Sequence, residues 1–155
     1  MEKALSRIRS IADYQFGQGI GTKLFPENVD IGYSKTTGRI RYVHLKDKRL
    51  ATLRPSDGLL SLSIPSARLV AENRSFARCF VTVQNDVSEF IAKGSDVFSR
   101  HVVRADEIHA KDEVIVVSEN NRVLAVGRAL LSSSEMMAFK TGVAVKIRRG
   151  CKNES

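Results

Sequence analysis

The second half of the sequence is a series of short β-type segments with little chain between them, which constrains the fold more than any other feature. RCFVTVQ, DEVIVVSE, RVLAVGRALL and GVAVKIRRG are rich in β-branched residues and are separated only by turns or short helical stretches. Asn120-Asn121 suits the positive φ of a tight hairpin turn. Short strands leave open edges unless their sheet closes, so the pattern predicts a small closed β-barrel.

The first half of the sequence predicts a different architecture. Leu5, Ile8 and Ala12 recur at three- and four-residue spacing, which places them on one face of an opening helix. Two strand-turn-strand pairs follow, with turn residues at Thr36–Gly38 and Pro55–Gly58. Helix and strands together indicate an α+β unit.

A change in composition separates the two halves. All three prolines precede residue 76, and the longer β-alternating segments follow it. We therefore predict an α+β N-terminal domain at residues 1–75, a mainly β pseudo-barrel at residues 76–150 and a loose tail at residues 151–155.

The net charge of +8 and the pI near 9.8 favour a polyanionic partner, either nucleic acid or an acidic membrane surface. The charge is uneven, because residues 1–75 carry 13 basic and 7 acidic side chains whereas residues 76–155 carry 12 and 10. No apolar run approaches the roughly 20 residues of a membrane helix, and the N-terminus lacks the apolar core of a secretory signal. We expect a cytoplasmic protein that does not bind membranes.

The sequence lacks the usual signatures of catalysis and of metal binding. Gly17–Gly21 reads G-x-G-x-G, which departs from the dinucleotide fingerprint, so a tight loop is favoured over a phosphate-binding one. Cys79 and Cys151 stand far apart with no metal-ligand spacing, and the histidines are scattered. Asp57 lies in a Pro-Ser-Asp-Gly turn, where a carboxylate usually caps the backbone. We expect no catalytic site, no metal and no cofactor.

The segment FIAKGSDVFSRH has the composition of a phosphate-binding loop. Gly94 would let another backbone approach closely, while Lys93 and Arg100 would supply charged donors. The alternative is a glycine-capped helix with Phe98 in the core and both cations solvated, and composition alone favours that alternative.

Two predicted strands also carry basic faces. Lys146, Arg148 and Arg149 lie in the last strand, and Arg39 and Arg41 share one face of a strand in the first half. Each set is either a phosphate track or an ordinary solvated strand face.

Taken together, FIAKGSDVF, DEVIVV, LAVGRA and GVAVKIRRG resemble, in order and spacing, the PUA domain, the small RNA-binding pseudo-barrel of pseudouridine synthases and archaeosine transglycosylases. DYQFGQGIGTKLFP, YSKTTGRIRYV and ATLRPSDGLLSLSI are similar to the domain that precedes PUA in the archaeosine enzymes. The resemblance extends to the C-terminal part of archaeal tRNA-guanine transglycosylase. Those enzymes catalyse their reaction on a large barrel with nucleophile and zinc-ligand residues, for which this chain has neither the length nor the cysteines.

The resemblance implies a fold, a function and a set of site residues. The fold is an α+β N-terminal domain followed by a mainly β PUA-type pseudo-barrel. The function is non-catalytic binding of RNA, in particular tRNA, beside a tRNA-modification enzyme. The implied RNA-binding residues are Lys93, Gly94, Ser95, Val97, Phe98, Arg100, Lys146, Arg148 and Arg149, with Arg39 and Arg41 as a secondary set. A stand-alone tRNA-modifying enzyme and a protein-interaction subunit remain as alternatives.

Overall fold

The computed structural model of the chain describes residues 2–153, and the chain divides into two compact units between Ala77 and Arg78. The first unit contains helices α1 (Glu2–Phe16), α2 (Ile20–Leu24) and α3 (Ile64–Glu72), strands β1 (Asp30–Tyr33), β2 (Ile40–Leu45), β3 (Lys48–Leu53) and β4 (Leu60–Leu62), and a 3-10 turn at Arg74–Phe76.

Helix α1 follows from the apolar spacing that the sequence shows. Ile8, Ala12 and Phe16 are fully buried, and the helix ends at Phe16 immediately before Gly17, which has φ +137°. Gly21 in α2 lies so close to the carbonyl oxygen of Arg9 that a Cβ would collide with it. The two helices therefore pack at a distance that only glycine allows.

The four strands of the first unit form one antiparallel meander in the order β1-β2-β3-β4. The two predicted strand-turn-strand pairs are thus joined into a single sheet by a tight turn at Lys46 and Asp47, both with positive φ. Because the strands alternate in direction, the turns at 34–38 and 54–58 lie at the same end of the sheet.

The second unit contains strands β5 (Phe80–Val83), β6 (Val97–Phe98), β7 (Val102–Ala105), β8 (Glu113–Ser118), β9 (Val123–Ala129) and β10 (Val143–Gly150), and helices α4 (Ser88–Ala92) and α5 (Ser133–Ala138). The strand order is β6-β10-β9-β8-β5-β7, with β5 and β8 parallel and the other pairs antiparallel. This mixed sheet is a nearly closed pseudo-barrel around an aliphatic core, which confirms the predicted fold class. The β8–β9 hairpin turns at Asn121, whose φ is +64°.

The last described residues are attached to the second unit. The backbone amide of Lys152 donates to the carbonyl oxygen of Ala92 at 2.8 Å, and the amide of Cys151 donates to that of Leu124 at 2.7 Å. Residues 151–155 are predicted to be a loose tail, but residues 151–153 are held by these contacts, which the sequence pattern does not reveal. Residues 154–155 lie outside the described part of the chain. Within residues 2–153, no helix is both long enough and apolar enough to span a membrane.

Candidate nucleic-acid interface

Pairing of β6 with β10 brings together the two segments of the predicted RNA site in the second unit. Val97 lies opposite Val145, and Phe98 lies opposite Val143. The loop before β6 is fixed to β10 by Asp96, whose Oδ1 accepts from the Ile147 amide at 2.8 Å. Residues 93–100 therefore lie directly beside residues 143–149.

The side chains in residues 93–100 differ in exposure. Lys93, Ser95 and Arg100 are exposed, and Phe98 is 41% exposed, whereas Val97 is fully buried in the barrel core. The structure therefore does not bear out the alternative in which Phe98 fills the core. Val97 can offer a ligand only its backbone.

Phe98 and Arg100 form a small aromatic and cationic pair on this surface. The guanidinium of Arg100 lies 5.2 Å from the centroid of the Phe98 ring. An exposed ring next to a cation can stack on a base while the cation contacts a phosphate. The Ser99 amide donates to the carbonyl oxygen of Gly142 at 3.0 Å, which holds the intervening 3-10 turn in place.

The three cations of β10 have different environments. The Lys146 side chain is 67% exposed, with its Nζ 3.4 Å from Asp96 Oδ2. Arg148 instead donates from Nη1 and Nη2 to the two carboxylate oxygens of Glu113 at 2.9 and 2.5 Å, and that carboxylate is fully buried. Arg149 is exposed and follows Arg148 at an irregularity in the β9–β10 register. Lys146 and Arg149 are available to a ligand, whereas Arg148 is engaged in a structural ion pair.

Arg128 is a cation on this surface that the sequence analysis did not select. It is exposed on β9, directly opposite Lys146 of β10. Residues paired in this way across antiparallel strands have Cβ atoms about 4.5–5.5 Å apart. Alternation in LAVGRA puts Arg128 on a polar face, but only the strand register places it beside Lys146. We call residues 93–100 and 146–149, together with Arg128, the β6–β10 surface.

Glycine is required at position 94 by contacts within the chain. It has φ +108°, and a Cβ there would lie 2.8 Å from Nδ2 of Asn153. Asn153 donates from that nitrogen to the Lys93 carbonyl oxygen at 2.8 Å, and its Oδ1 accepts from the Gly150 amide. The space that the sequence analysis reserved for an approaching RNA backbone is thus filled by the chain's own C-terminal turn.

Lys152 fixes the same turn to the start of α4. Its Nζ lies 2.7 and 2.9 Å from the two carboxylate oxygens of Glu89. This hydrogen-bonded pairing holds the pKa of Glu89 below its usual value of 4.5. The turn and the helix therefore form one anchored edge of the β6–β10 surface.

The first unit contains the secondary set of predicted RNA-binding residues, Arg39 and Arg41, and the glycine loop at Gly17–Gly21. Arg39 is exposed and Arg41 half-buried near the end of the sheet where the turns at 34–38 and 54–58 lie. In the glycine loop, Asp13 Oδ1 accepts from the amides of Gly19 and Gly21 at 3.2 and 2.7 Å. Both amides are therefore already hydrogen-bonded to a carboxylate of the same chain. This favours a structural role for the loop over phosphate binding.

The residues considered for catalysis each contact neighbouring residues of their own unit. Asp57 pairs with Arg54, with Oδ2 3.1 Å from Nη2. His101 Nδ1 lies 3.1 Å from Gln84 Oε1, and exposed His109 lies 3.9 Å from Asp112. Across residues 2–153, no group of three or more His, Cys, Asp and Glu side chains could hold a metal ion.

Comparison with known families divides the chain at the same place as the structure. Residues 6–76 match the patch-forming domain C2 of tRNA-guanine transglycosylase, and residues 80–151 match the PUA domain. The tRNA-guanine(15) transglycosylase of Methanobrevibacter smithii is 41% identical over 149 residues, which are 96% of this chain and 23% of that enzyme. The chain thus spans about a quarter of the length of this relative.

Two solved structures are similar to this chain over nearly its whole length. A hypothetical protein from Pyrococcus horikoshii superposes with a TM-score of 0.77 at 26% identity, covering 99% of this chain and 93% of that one. A conserved PUA domain protein from Thermoplasma acidophilum superposes with a TM-score of 0.71 at 25% identity, with coverages of 99% and 93%.

Proposed function

Because this chain is a PUA-domain protein that resembles the C-terminal part of archaeal tRNA-guanine transglycosylase, we propose that it binds RNA, specifically tRNA, in support of a tRNA-modification enzyme of the archaeosine type. The observation that carries the proposal is the pairing of β6 with β10. This pairing brings the Lys93 loop before β6 and the Phe98–Arg100 pair at its end to the side of β10, which carries Lys146.

The chemistry of the β6–β10 surface suits a folded RNA. Its exposed cations are spread over β9, β10 and the segment around β6, so they match several phosphates better than a single compact anion. Structured RNA is recognised largely through shape, phosphates and 2′-hydroxyl groups, with unpaired bases stacked on aromatic rings. Phe98 is the one exposed aromatic ring in residues 93–100, which predicts one stacked base.

The proposed role is binding, without catalysis by this chain. A catalytic site needs a nucleophile or acid–base pair in mutual reach, and the candidate residues lie in structural contacts instead. Incubating the purified protein with unmodified tRNA and analysing the nucleosides tests this point. We expect no altered nucleoside, and a modified one would overturn the non-catalytic proposal.

The binding proposal is tested with tRNA and with a tRNA lacking its acceptor end, each titrated across a salt series. Affinity should fall steeply with salt, because each neutralised phosphate contributes a slope of about −0.9 in log K against log salt. Binding that is absent or independent of salt would overturn the proposal. Loss of binding on removal of the acceptor end would locate the contact there.

Charge-matched variants test whether the β6–β10 surface is the contact. We expect Lys146→Gln and Arg149→Gln each to lower the salt slope by about 1. The matched control is Lys48→Gln, an exposed lysine at the start of β3 in the first unit, which is not part of the β6–β10 surface. An equal loss in the control would show that binding depends on total charge alone, and the proposed surface would be wrong.

A further inference from the structure

A groove of about 970 Å³ lies in the first unit, at the end of the sheet where the turns at 34–38 and 54–58 meet the first two turns of α1. It is strongly basic. Among the described residues, the charged ones in the lining are Lys3, Arg7, Arg39, Arg41, Arg54 and Asp57, which gives five cations to one carboxylate. Such a concentration of like charge raises the local potential and favours an anionic ligand.

The single carboxylate among these lining residues is already paired with an arginine of its own turn. Asp57 accepts from Arg54 Nε at 3.2 Å through Oδ1, and its Oδ2 lies 3.1 Å from Nη2. The same Oδ1 accepts from the Leu59 amide at 3.0 Å, so Asp57 also shapes the turn. Its negative charge therefore offsets mainly Arg54.

Three buried guanidinium nitrogens in the groove lining have no hydrogen-bond partner among the described residues. They are Nη1 and Nη2 of Arg54, whose side chain is only 10% exposed, and Nε of Arg41. Nη2 of Arg54 lies at ion-pair distance from Asp57 but outside hydrogen-bonding geometry. A guanidinium offers five N–H donors, and the contacts with Asp57 use only one side of the Arg54 group. A buried charged donor without an acceptor is costly, so such a group calls for a missing partner.

We propose that this groove is a binding site for a phosphate group, held by the guanidinium groups of Arg54 and Arg41. Arginine matches phosphate because its planar donors can engage two oxygens at once. The volume exceeds that of an inorganic ion and lies within the range of pockets for small organic ligands, so the groove has room for an organic phosphate such as a nucleotide, either free or within an RNA chain.

The proposal goes beyond RNA binding by the β6–β10 surface and does not depend on it. The alternation of residues along the predicted strand places Arg39 and Arg41 on the same face of it. The structure adds Arg54 from the next loop and Lys3 and Arg7 from α1. These residues are distant in sequence and meet only because both turns lie at one end of the sheet.

The test is an NMR titration of the full chain with three probes: inorganic phosphate, adenosine monophosphate and a four-nucleotide single-stranded RNA. The signals followed are the amides of residues 34–38 and 54–58 and the Nε–H groups of Arg41 and Arg54. Shifts at these positions with any probe support the proposal. A response to adenosine monophosphate identifies a free nucleotide as sufficient, and a response to the RNA alone identifies the backbone of a strand.

Variants separate this groove from general electrostatics. Arg41→Gln and Arg39→Gln should each weaken binding of the responding probe, by about tenfold for Arg41. Lys48→Gln removes the same charge at the opposite end of the same sheet and should change affinity less than twofold. Probes that leave the groove signals unmoved, or a Lys48 variant as weak as the Arg41 variant, would overturn the proposal. Either result would leave tRNA binding by the β6–β10 surface intact.

Discussion

Replacing Arg148 with methionine should destabilise the second unit severely, because it leaves a buried carboxylate without its arginine. Glu113 is fully buried, whereas the Arg148 side chain is 40% exposed. Breaking a buried ion pair by removing one partner costs about 3–5 kcal/mol when the remaining charge stays buried. The cost should be smaller, about 1–2 kcal/mol, for Glu113→Gln, because Arg148 can then turn towards water.

The free energy of unfolding, measured by urea titration with circular dichroism at neutral pH, gives the comparison. Because the whole protein has only about 5–15 kcal/mol of stability, Arg148→Lys provides a milder second variant. Lysine keeps the charge but loses the two-pronged geometry, so its cost should fall between those of the other two variants.

The double variant Arg148→Met with Glu113→Gln supplies the decisive control. It removes both charges, so we expect it to be more stable than Arg148→Met alone. Equal costs for Arg148→Met and Glu113→Gln, or a double variant with the sum of the two losses, would refute the unequal roles that the exposures indicate.

Three further predictions concern the packing around the two units. Gly94→Ala should cost about 1–3 kcal/mol of stability in thermal unfolding, because φ is +108° and the new Cβ meets Asn153. Adding Asn153→Ala should restore only part of that stability, and full recovery would refute backbone strain at Gly94. Asp13→Ala should cost about 1–3 kcal/mol of stability in urea unfolding, because it leaves the Gly19 and Gly21 amides without their acceptor. Asp13→Asn should cost clearly less, since its side-chain oxygen can still accept. Equal costs for the two variants would contradict the role of Asp13 as acceptor. Lys152→Gln should lower Tm more at pH 7 than at pH 3: the folded-state pKa of Glu89 is lowered from 4.5, so the pair stabilises fully above that pH and its contribution is lost as the pH falls through the lowered pKa. A loss of Tm that is as large at pH 3 as at pH 7 would contradict this assignment.

Local sequence signals predicted the elements whose causes are local. The β8–β9 hairpin depends on Asn121, and α1 depends on an apolar stripe that ends before a glycine. The β-type residues of SDVFSRHVV predict one extended segment, whereas the chain forms β6, a 3-10 turn at Ser99–His101 and then β7. That turn is held by the carbonyl oxygen of Gly142, which lies 43 positions after Ser99 in the sequence. No local pattern could reveal it.

The candidate site shows the same division. Alternation correctly placed Lys146 and Arg148 outside the barrel core, but it treats the two cations as equivalent. What separates them is Glu113, 35 positions from Arg148 and adjacent only because β8, β9 and β10 lie side by side. Arg128 was missed for the same reason, because its place in the site depends on the residue opposite it in the strand register, which is Lys146. The pairing of strands determines which cations are left to contact a ligand. The residue pattern of a single strand does not show that pairing.

The pairing of β6 with β10 also determines when the surface can exist during synthesis. Residues 93–100 leave the ribosome well before residues 143–149, and β6 contributes only two residues to its pairing with β10. A segment this short has little stability of its own, and contacts so distant in sequence form late. A nascent chain that ends before β10 therefore presents a loop, an aromatic ring and scattered cations, but no assembled surface. If the β6–β10 surface binds RNA as proposed, only a chain with a completed second unit occupies that RNA, and partly synthesised chains do not compete for it.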